Sequence, residues 1–296
     1  MSIESRARRH PSAKIAALLA AVFVLVGCTG DIEAAGTGAS AESVPEPSAP
    51  QASVEPNSVA TPDPLPELDA VGLESLRQVR IFFAHRSVGG NIVEDGFPAV
   101  YRRLELEPPR VDVGLPATGG GFGDHWLDQT EDPQSKLRDF DRWVRIEGVG
   151  ANADITVMKL GYVDVVADTD VQHLFDSYRS MMDRLESDYP QVAFLHVTVS
   201  VTGWQPENNA AIERFNTLMR DHYGPTGRLY DLASVVSTCA DGRSETRETE
   251  EGDPYHSICD EYTSDGGHLN ELGATIAADG LLRLLVAAAA EREDSR

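Results

Sequence analysis

The sequence predicts an α/β fold, a three-layer α/β/α sandwich around a mostly parallel sheet. Three observations lead there. Short β-branched or aromatic runs alternate with helical periodicities along residues 67–296, which implies right-handed crossovers and a sheet covered on both faces. The run "QVAFLHVTVSV" (191–201) is long and almost wholly apolar, as suits a central strand buried on both sides. The stretch also has a length suited to one domain with a sizeable core, and it carries no internal repeat.

The chain opens differently. "MSIESRARRHPSAK" carries Arg6, Arg8, Arg9 and Lys14, and "IAALLAAVFVLVG" then runs without a charge to Cys28. A basic start followed by an apolar run too short for a comfortable membrane span reads as an export signal over 1–27. "LVGC" resembles the lipobox at which bacterial lipoprotein signals are cut and the cysteine is lipidated. Residues 28–66 are rich in Pro, Ser, Ala and Glu, have no Lys or Arg and hold few large apolar side chains. Such a segment buries too little to order itself and reads as a flexible tether.

The expected strands of the folded domain are "VRIFFA" (79–84), "VDVGL" (111–115), "DITVMKLG" (154–161), 191–201 and "GRLYDL" (227–232). The expected helices cover 88–105, about 135–147, 170–189, 208–223 and 270–290. In sheets of this kind ligands bind outside the carboxyl ends of the strands. Chemistry is therefore expected in the loops after "FFA", "VGL" and "MKL" and in the loop before the last helix.

Charge and cysteine content narrow the function classes. The formal net charge is −23. Cleavage before Cys28 removes four of the 25 Lys and Arg and one of the 48 Asp and Glu, leaving 21 against 47 and a charge of −26. A surface so acidic repels phosphate backbones and anionic lipid, which excludes nucleic acid as the principal partner and leaves the lipid as the means of membrane attachment. Cys239 and Cys259, the two cysteines other than Cys28, are expected to pair in an oxidising compartment. Metal binding through His256 and Cys259 lacks a second ligand pair.

"FFAHRSVGGN" (82–91) places Ser87 between a strand and a helix. Two readings fit: a nucleophile whose backbone N–H helps to hold an oxyanion, or a serine that only caps the helix. Gly89 and Gly90 would allow a close approach to the backbone. Near the other end, "SDGGHLNELG" sets Asp265 three residues before His268 in a glycine-containing loop. A serine needs a base, and the base needs an orienting carboxylate. The same loop also reads as solvated and unconnected to Ser87, or, more weakly, as a metal pair.

Ser87 after the first strand and Asp265-x-x-His268 before the last helix resemble the SGNH (GDSL-type) hydrolase superfamily, in a divergent branch where a His-x-Ser-x-Gly string replaces Gly-Asp-Ser. The resemblance covers roughly 79–290 and implies esterase or acyl-hydrolase activity with Ser87, His268 and Asp265 as the triad. No G-x-S-x-G elbow is present, which disfavours an ordinary α/β-hydrolase. The family adds a glycine N–H and an asparagine amide to the oxyanion hole. "PATGGGFGDHW" (116–126) offers Gly120 or Gly121 for the first role and equally reads as a flexible loop. Where the family has Gly-x-Asn-Asp this chain has Gly161, Tyr162, Val163 and Asp164, and Val163 cannot donate. Asn91, one helical turn after Ser87, is a candidate replacement or an ordinary polar residue.

Of the neighbouring residues, His85 reads as a core hydrogen-bonder or a pocket wall, and Arg86 as a ligand for a substrate carboxylate or half of an ion pair. Lys159 calls for a carboxylate partner, for which Asp164 is the candidate. "GDHW" (123–126) reads as part of a long loop, sugar-stacking or lid-like. The loop 239–259 reads as a cover over the site or as a surface insertion.

The leading expectation is a lipid-anchored, extracytoplasmic serine esterase or deacylase acting on O-acyl esters, carbohydrate esters among them, with no metal or cofactor. The alternatives are acyl transfer by the same triad and a non-catalytic carbohydrate-binding or envelope lipoprotein on the same fold. Oligomeric state is not indicated by the sequence.

Overall fold

The computed structural model describes residues 65–128 and 131–294. The expected signal, the lipidation site at Cys28 and the tether up to residue 64 lie outside the described residues.

Six parallel strands form one sheet in the order β2-β3-β1-β4-β5-β6. They are β1 (Arg80–His85), β2 (Val111–Val113), β3 (Gly121–Trp126), β4 (Ile155–Met158), β5 (Ala193–Val197) and β6 (Leu229–Tyr230). The helices form two packed groups. The long α9 (Glu271–Asp294) lies with α1 (Ala70–Ser75), α3 (Phe97–Arg103) and α8 (Leu232–Ser237). In the other group α4 (Pro133–Arg145) packs on α5 (Val149–Asn152) and α6 (Val171–Asp188), and α6 on α7 (Pro206–Tyr223). The fold is a three-layer α/β/α sandwich, as the alternating pattern predicts.

β1 is the hinge of the topology. It follows α1, pairs with β3 on one side and β4 on the other, and is buried from Ile81 to His85. From β1 the chain goes to the edge strand β2, returns to β3 between β2 and β1, and then crosses β1 to add β4, β5 and β6 in turn. Such a reversal of strand order opens a crevice at the carboxyl ends. The register sets His85 level with Trp126, and Ala84 level with Met158, so the loops after β1, β3 and β4 emerge side by side.

Two expectations about strands change. The segment 121–126, read as loop because of its glycines, is the strand β3. Its neighbours explain the glycines: a Cβ on Gly120 would lie 2.2 Å from the Arg77 carbonyl oxygen, and one on Gly123 2.2 Å from that of Gly114. The run 191–201 is not central but next to the short edge strand β6. It also leaves the sheet after Val197, because side chains take over its backbone groups. Asn216 accepts from the Val199 N–H and donates to the Val199 carbonyl, both at 2.8 Å. Asn209 does the same for Thr202, at 3.0 and 2.8 Å.

The helix after β1 is continuous but unevenly wound. α2 (Val88–Asn91) passes through a π-wound segment (Ile92–Gly96) into α3. Gly96 sits in that segment, where a Cβ would meet the Ala274 carbonyl oxygen at 2.3 Å. The π turn and the missing side chain let α9 approach closely.

Cys239 and Cys259 form a disulfide with Cα atoms 5.6 Å apart. Their loop carries a small hairpin of β7 (Thr246–Glu248) and β8 (Pro254–His256). His256 Nδ1 lies 2.7 Å from Glu213 on α7, tying the hairpin to that helix.

Candidate active site

Ser87 leads the helix after β1 in a backbone conformation that side chains avoid, φ 52° and ψ −108°. For a non-glycine residue this costs on the order of 1–3 kcal/mol. Its hydroxyl does not cap the helix, so the capping reading fails. The oxygen is buried and makes no hydrogen bond with any described group. It opens on a cavity of about 370 Å³ lined by Ser87, Asn91, Trp126, Tyr162 and His268, with Arg86 and Glu94 on its walls.

The glycines after Ser87 serve packing more than substrate access. A Cβ on Gly89 would lie 2.4 Å from the His85 Cβ, and one on Gly90 2.9 Å from the Trp126 ring. His85 is fully buried and its Nε2 lies 2.5 Å from Asp124 Oδ1. Desolvation holds its pKa below the ordinary histidine value despite that carboxylate. His85 lies beneath the site and outside the cavity wall.

The loop carrying Asp265 and His268 is rigidly built. Asp265 Oδ1 accepts the N–H groups of Gly267 (2.9 Å) and His268 (2.8 Å), and Oδ2 lies 2.8 Å from His268 Nδ1. The backbone donors first, and then the imidazole, hold the Asp265 carboxyl well below the usual carboxylate range. Gly266 takes φ +83°, as the turn between the two requires. Thr263 Oγ1 donates to the His268 carbonyl at 2.6 Å and closes the loop.

Two contacts fix that loop, one of them to the helix that Ser87 leads. The Leu269 N–H donates to Asn91 Oδ1 at 3.2 Å, and the Gly203 N–H to the Gly266 carbonyl at 2.7 Å. Trp204 lies on the paired glycines, where Cβ atoms would meet its ring at 2.3 Å from Gly266 and 2.5 Å from Gly267. Ser87 and His268 thus face one cavity, and His268 Nε2, the nitrogen not turned to Asp265, has no hydrogen-bond partner among the described residues.

The third loop corrects another expectation. Asp164 pairs with Lys136, not Lys159: Nζ of Lys136 lies 2.7 and 2.6 Å from its two oxygens, and both side chains are fully buried. The Gly161 N–H also donates to Asp164, at 2.6 Å. Lys159 Nζ instead donates to the Leu160 carbonyl at 3.0 Å. Desolvation, with Lys136 nearby, pushes the Lys159 pKa down to about 7. The pinned turn presents Tyr162 to the cavity, edge-on to Trp204 (6.3 Å) and to His268 (6.1 Å).

Gly120 and Gly121 do not belong to the site. The Gly121 N–H donates to the Val79 carbonyl at 2.9 Å, and Gly121 lies level with Arg80 at the start of β1. That is the opposite end of the strand from His85, about 16 Å away at ~3.3 Å per residue. The residue that reaches the cavity from β3 is Trp126, which the Arg86 guanidinium overlies at 5.7 Å. Among the described residues Arg86 makes no ion pair. No residue of the loop 239–259 lines the cavity. Sequence reasoning missed Trp204 and Tyr162, whose only signal was aromatic residues in loops after strands.

No family model matches the chain, and comparison with curated proteins finds no match. Solved structures similar to it include a GDSL-like lipase from Bacteroides thetaiotaomicron (14% identity, 71% of this chain and 87% of that one, TM-score 0.44). An acetylxylan esterase from Geobacillus stearothermophilus, determined as a catalytic mutant, is similar at 13% identity over 69% and 93% of the two chains, TM-score 0.42. A G-D-S-L family protein from Desulfitobacterium hafniense, described as lipolytic, is similar at 12% identity over 69% and 98%, TM-score 0.45.

Proposed function

We propose that this chain is a serine esterase of SGNH type, acting on O-acyl esters. One observation carries the reading: a strained Ser87 with an unengaged hydroxyl shares a cavity with His268, whose other nitrogen is held by Asp265. Strain at a serine that caps nothing fits a nucleophile better than a scaffold residue.

In the reaction Ser87 Oγ attacks the acyl carbonyl while His268 Nε2 takes its proton. Asp265 keeps Nδ1 protonated and steadies the imidazolium that forms. The alcohol leaves with the proton returned by His268, and water repeats the sequence on the acyl-enzyme. The Ser87 N–H, ahead of the first intrahelical bond, is one oxyanion donor. Asn91 is proposed as a second: its Oδ1 is fixed by the Leu269 N–H, which leaves Nδ2 for the cavity.

The substrate class proposed is an acylated carbohydrate or small molecule, supported by the exposed Trp126 and Trp204 beside the cavity, since indole faces stack on sugars. Lipid attachment at Cys28 and an extracytoplasmic location are proposed from residues 1–28. The Cys239–Cys259 bridge supports an oxidising compartment.

The test is hydrolysis of 4-nitrophenyl acetate by the protein and by Ser87→Ala, together with labelling by a fluorophosphonate. Wild type is expected to turn over and to be labelled on Ser87. Equal rates for the two proteins would remove Ser87 as the nucleophile and favour a binding role for the cavity.

A further inference from the structure

An esterase built on Ser87 needs donors aimed at the carbonyl oxygen, and several candidates near it are already engaged. The Gly161 N–H is held by Asp164. The Leu127 N–H, at the exit of β3 beside β1, donates to the His85 carbonyl at 2.9 Å. Val163 offers no polar side chain, and the glycines at 120 and 121 lie at the far end of the sheet. The Ser87 N–H and the Asn91 amide remain, on one side of the cavity.

Tyr162 stands on the other side. Its side chain lines the cavity beside Ser87. The hydroxyl lies 3.0 Å from the point a Gly267 Cβ would occupy, next to His268, and close enough to the Ser87 hydroxyl to feel it. The ring is wedged edge-on between Trp204 and His268. Its backbone belongs to the turn Tyr162–Asp164, which the buried Lys136–Asp164 pair pins in place. A donor fixed before the substrate arrives needs no reorganisation when charge develops.

We propose that the Tyr162 hydroxyl is an oxyanion donor, replacing the side-chain amide that Val163 cannot supply. The inference rests on the esterase reading above. As Ser87 Oγ bonds to the acyl carbon, the carbonyl π pair moves onto oxygen, and Tyr162 donates a hydrogen bond to that oxygen without giving up its proton. The proton of Ser87 goes to His268, and collapse of the intermediate returns it to the leaving alcohol. Burial raises the phenol pKa further above its ordinary value, so Tyr162 is a donor throughout the neutral range.

The test is Tyr162→Phe, which keeps the ring between Trp204 and His268. With 4-nitrophenyl acetate, kcat is expected to fall by ~10²-fold or more while KM and the melting temperature stay near wild type. Phosphonylation of Ser87 by diethyl 4-nitrophenyl phosphate, which also develops charge on oxygen, is expected to slow in parallel. A kcat within about threefold of wild type overturns the proposal, as does a loss of kcat with undiminished phosphonylation. If wild type neither turns over ester nor is phosphonylated, the esterase reading itself fails, and the role of Tyr162 falls with it.

Discussion

Asp265 holds His268 by backbone and side chain together, with Oδ1 on the His268 N–H and Oδ2 on Nδ1, each at 2.8 Å. Its folded pKa lies below the unfolded value, so its ionised form persists as pH falls below the ordinary carboxylate range. The acid limb of the kcat/KM profile is therefore expected to come from another group. Asp265→Asn should lower kcat by about 10³–10⁴-fold by losing the anion that selects the tautomer. A pH–rate series on both proteins checks this, and an Asp265→Asn rate near wild type would refute it.

Asn91 has two jobs that one substitution can separate. Asn91→Asp keeps an oxygen for the Leu269 N–H but loses the amide donor, so turnover of 4-nitrophenyl acetate should fall while the fold holds. Asn91→Ala loses both and should also melt earlier. Unchanged turnover in either variant would remove Asn91 from the oxyanion hole.

The Lys136–Asp164 pair is fully buried, and stranding either charge is expensive. Lys136→Met is expected to cost about 3–5 kcal/mol in urea unfolding. Combining it with Asp164→Leu should recover part of that loss, since the lone carboxylate is gone. Additive losses in the double variant would argue that the two side chains are not coupled.

Lys159 makes the opposite prediction. Its folded pKa of about 7 lies below the unfolded value of about 10.4, so the unfolded chain binds more protons between those limits. Stability linked to this residue rises with pH across that window. Lys159→Met is expected to be more stable than wild type by a few kcal/mol at pH 6, with the gap shrinking by pH 9.5. A gap independent of pH would show that Lys159 does not titrate as buried.

The disulfide closes a loop spanning a separation of 20 residues, worth roughly 3 kcal/mol in the chain-entropy model. Replacing Cys239 and Cys259 by alanine should lower the melting temperature. Well below that temperature kcat should be unchanged, because the bridged loop does not line the cavity. A large loss of kcat in a folded variant would place the loop in the reaction.

Much of this architecture is legible in the sequence where one local rule governs. β1 and the long helices follow from apolar periodicity, and Asp265 and His268 sit together because three residues of chain hold them there. β3 was hidden because its glycines answer to the backbones of Arg77 and Gly114, neighbours in space that no local rule sees. The choice between Lys136 and Lys159 as partner of Asp164 likewise depends on how α4 meets the loop after β4. The strain at Ser87 is a property of φ and ψ, and no residue letter records it.

The Asn91–Leu269 hydrogen bond spans 178 positions of chain. A partly synthesised molecule can therefore hold Ser87 and the sheet yet lack His268, since the loop of His268 and α9 follow the strands in the chain. Contacts of such long range are among the slowest to form. On the proposed function, activity should appear only once α9 docks against Gly96, so that shorter chains stay inert.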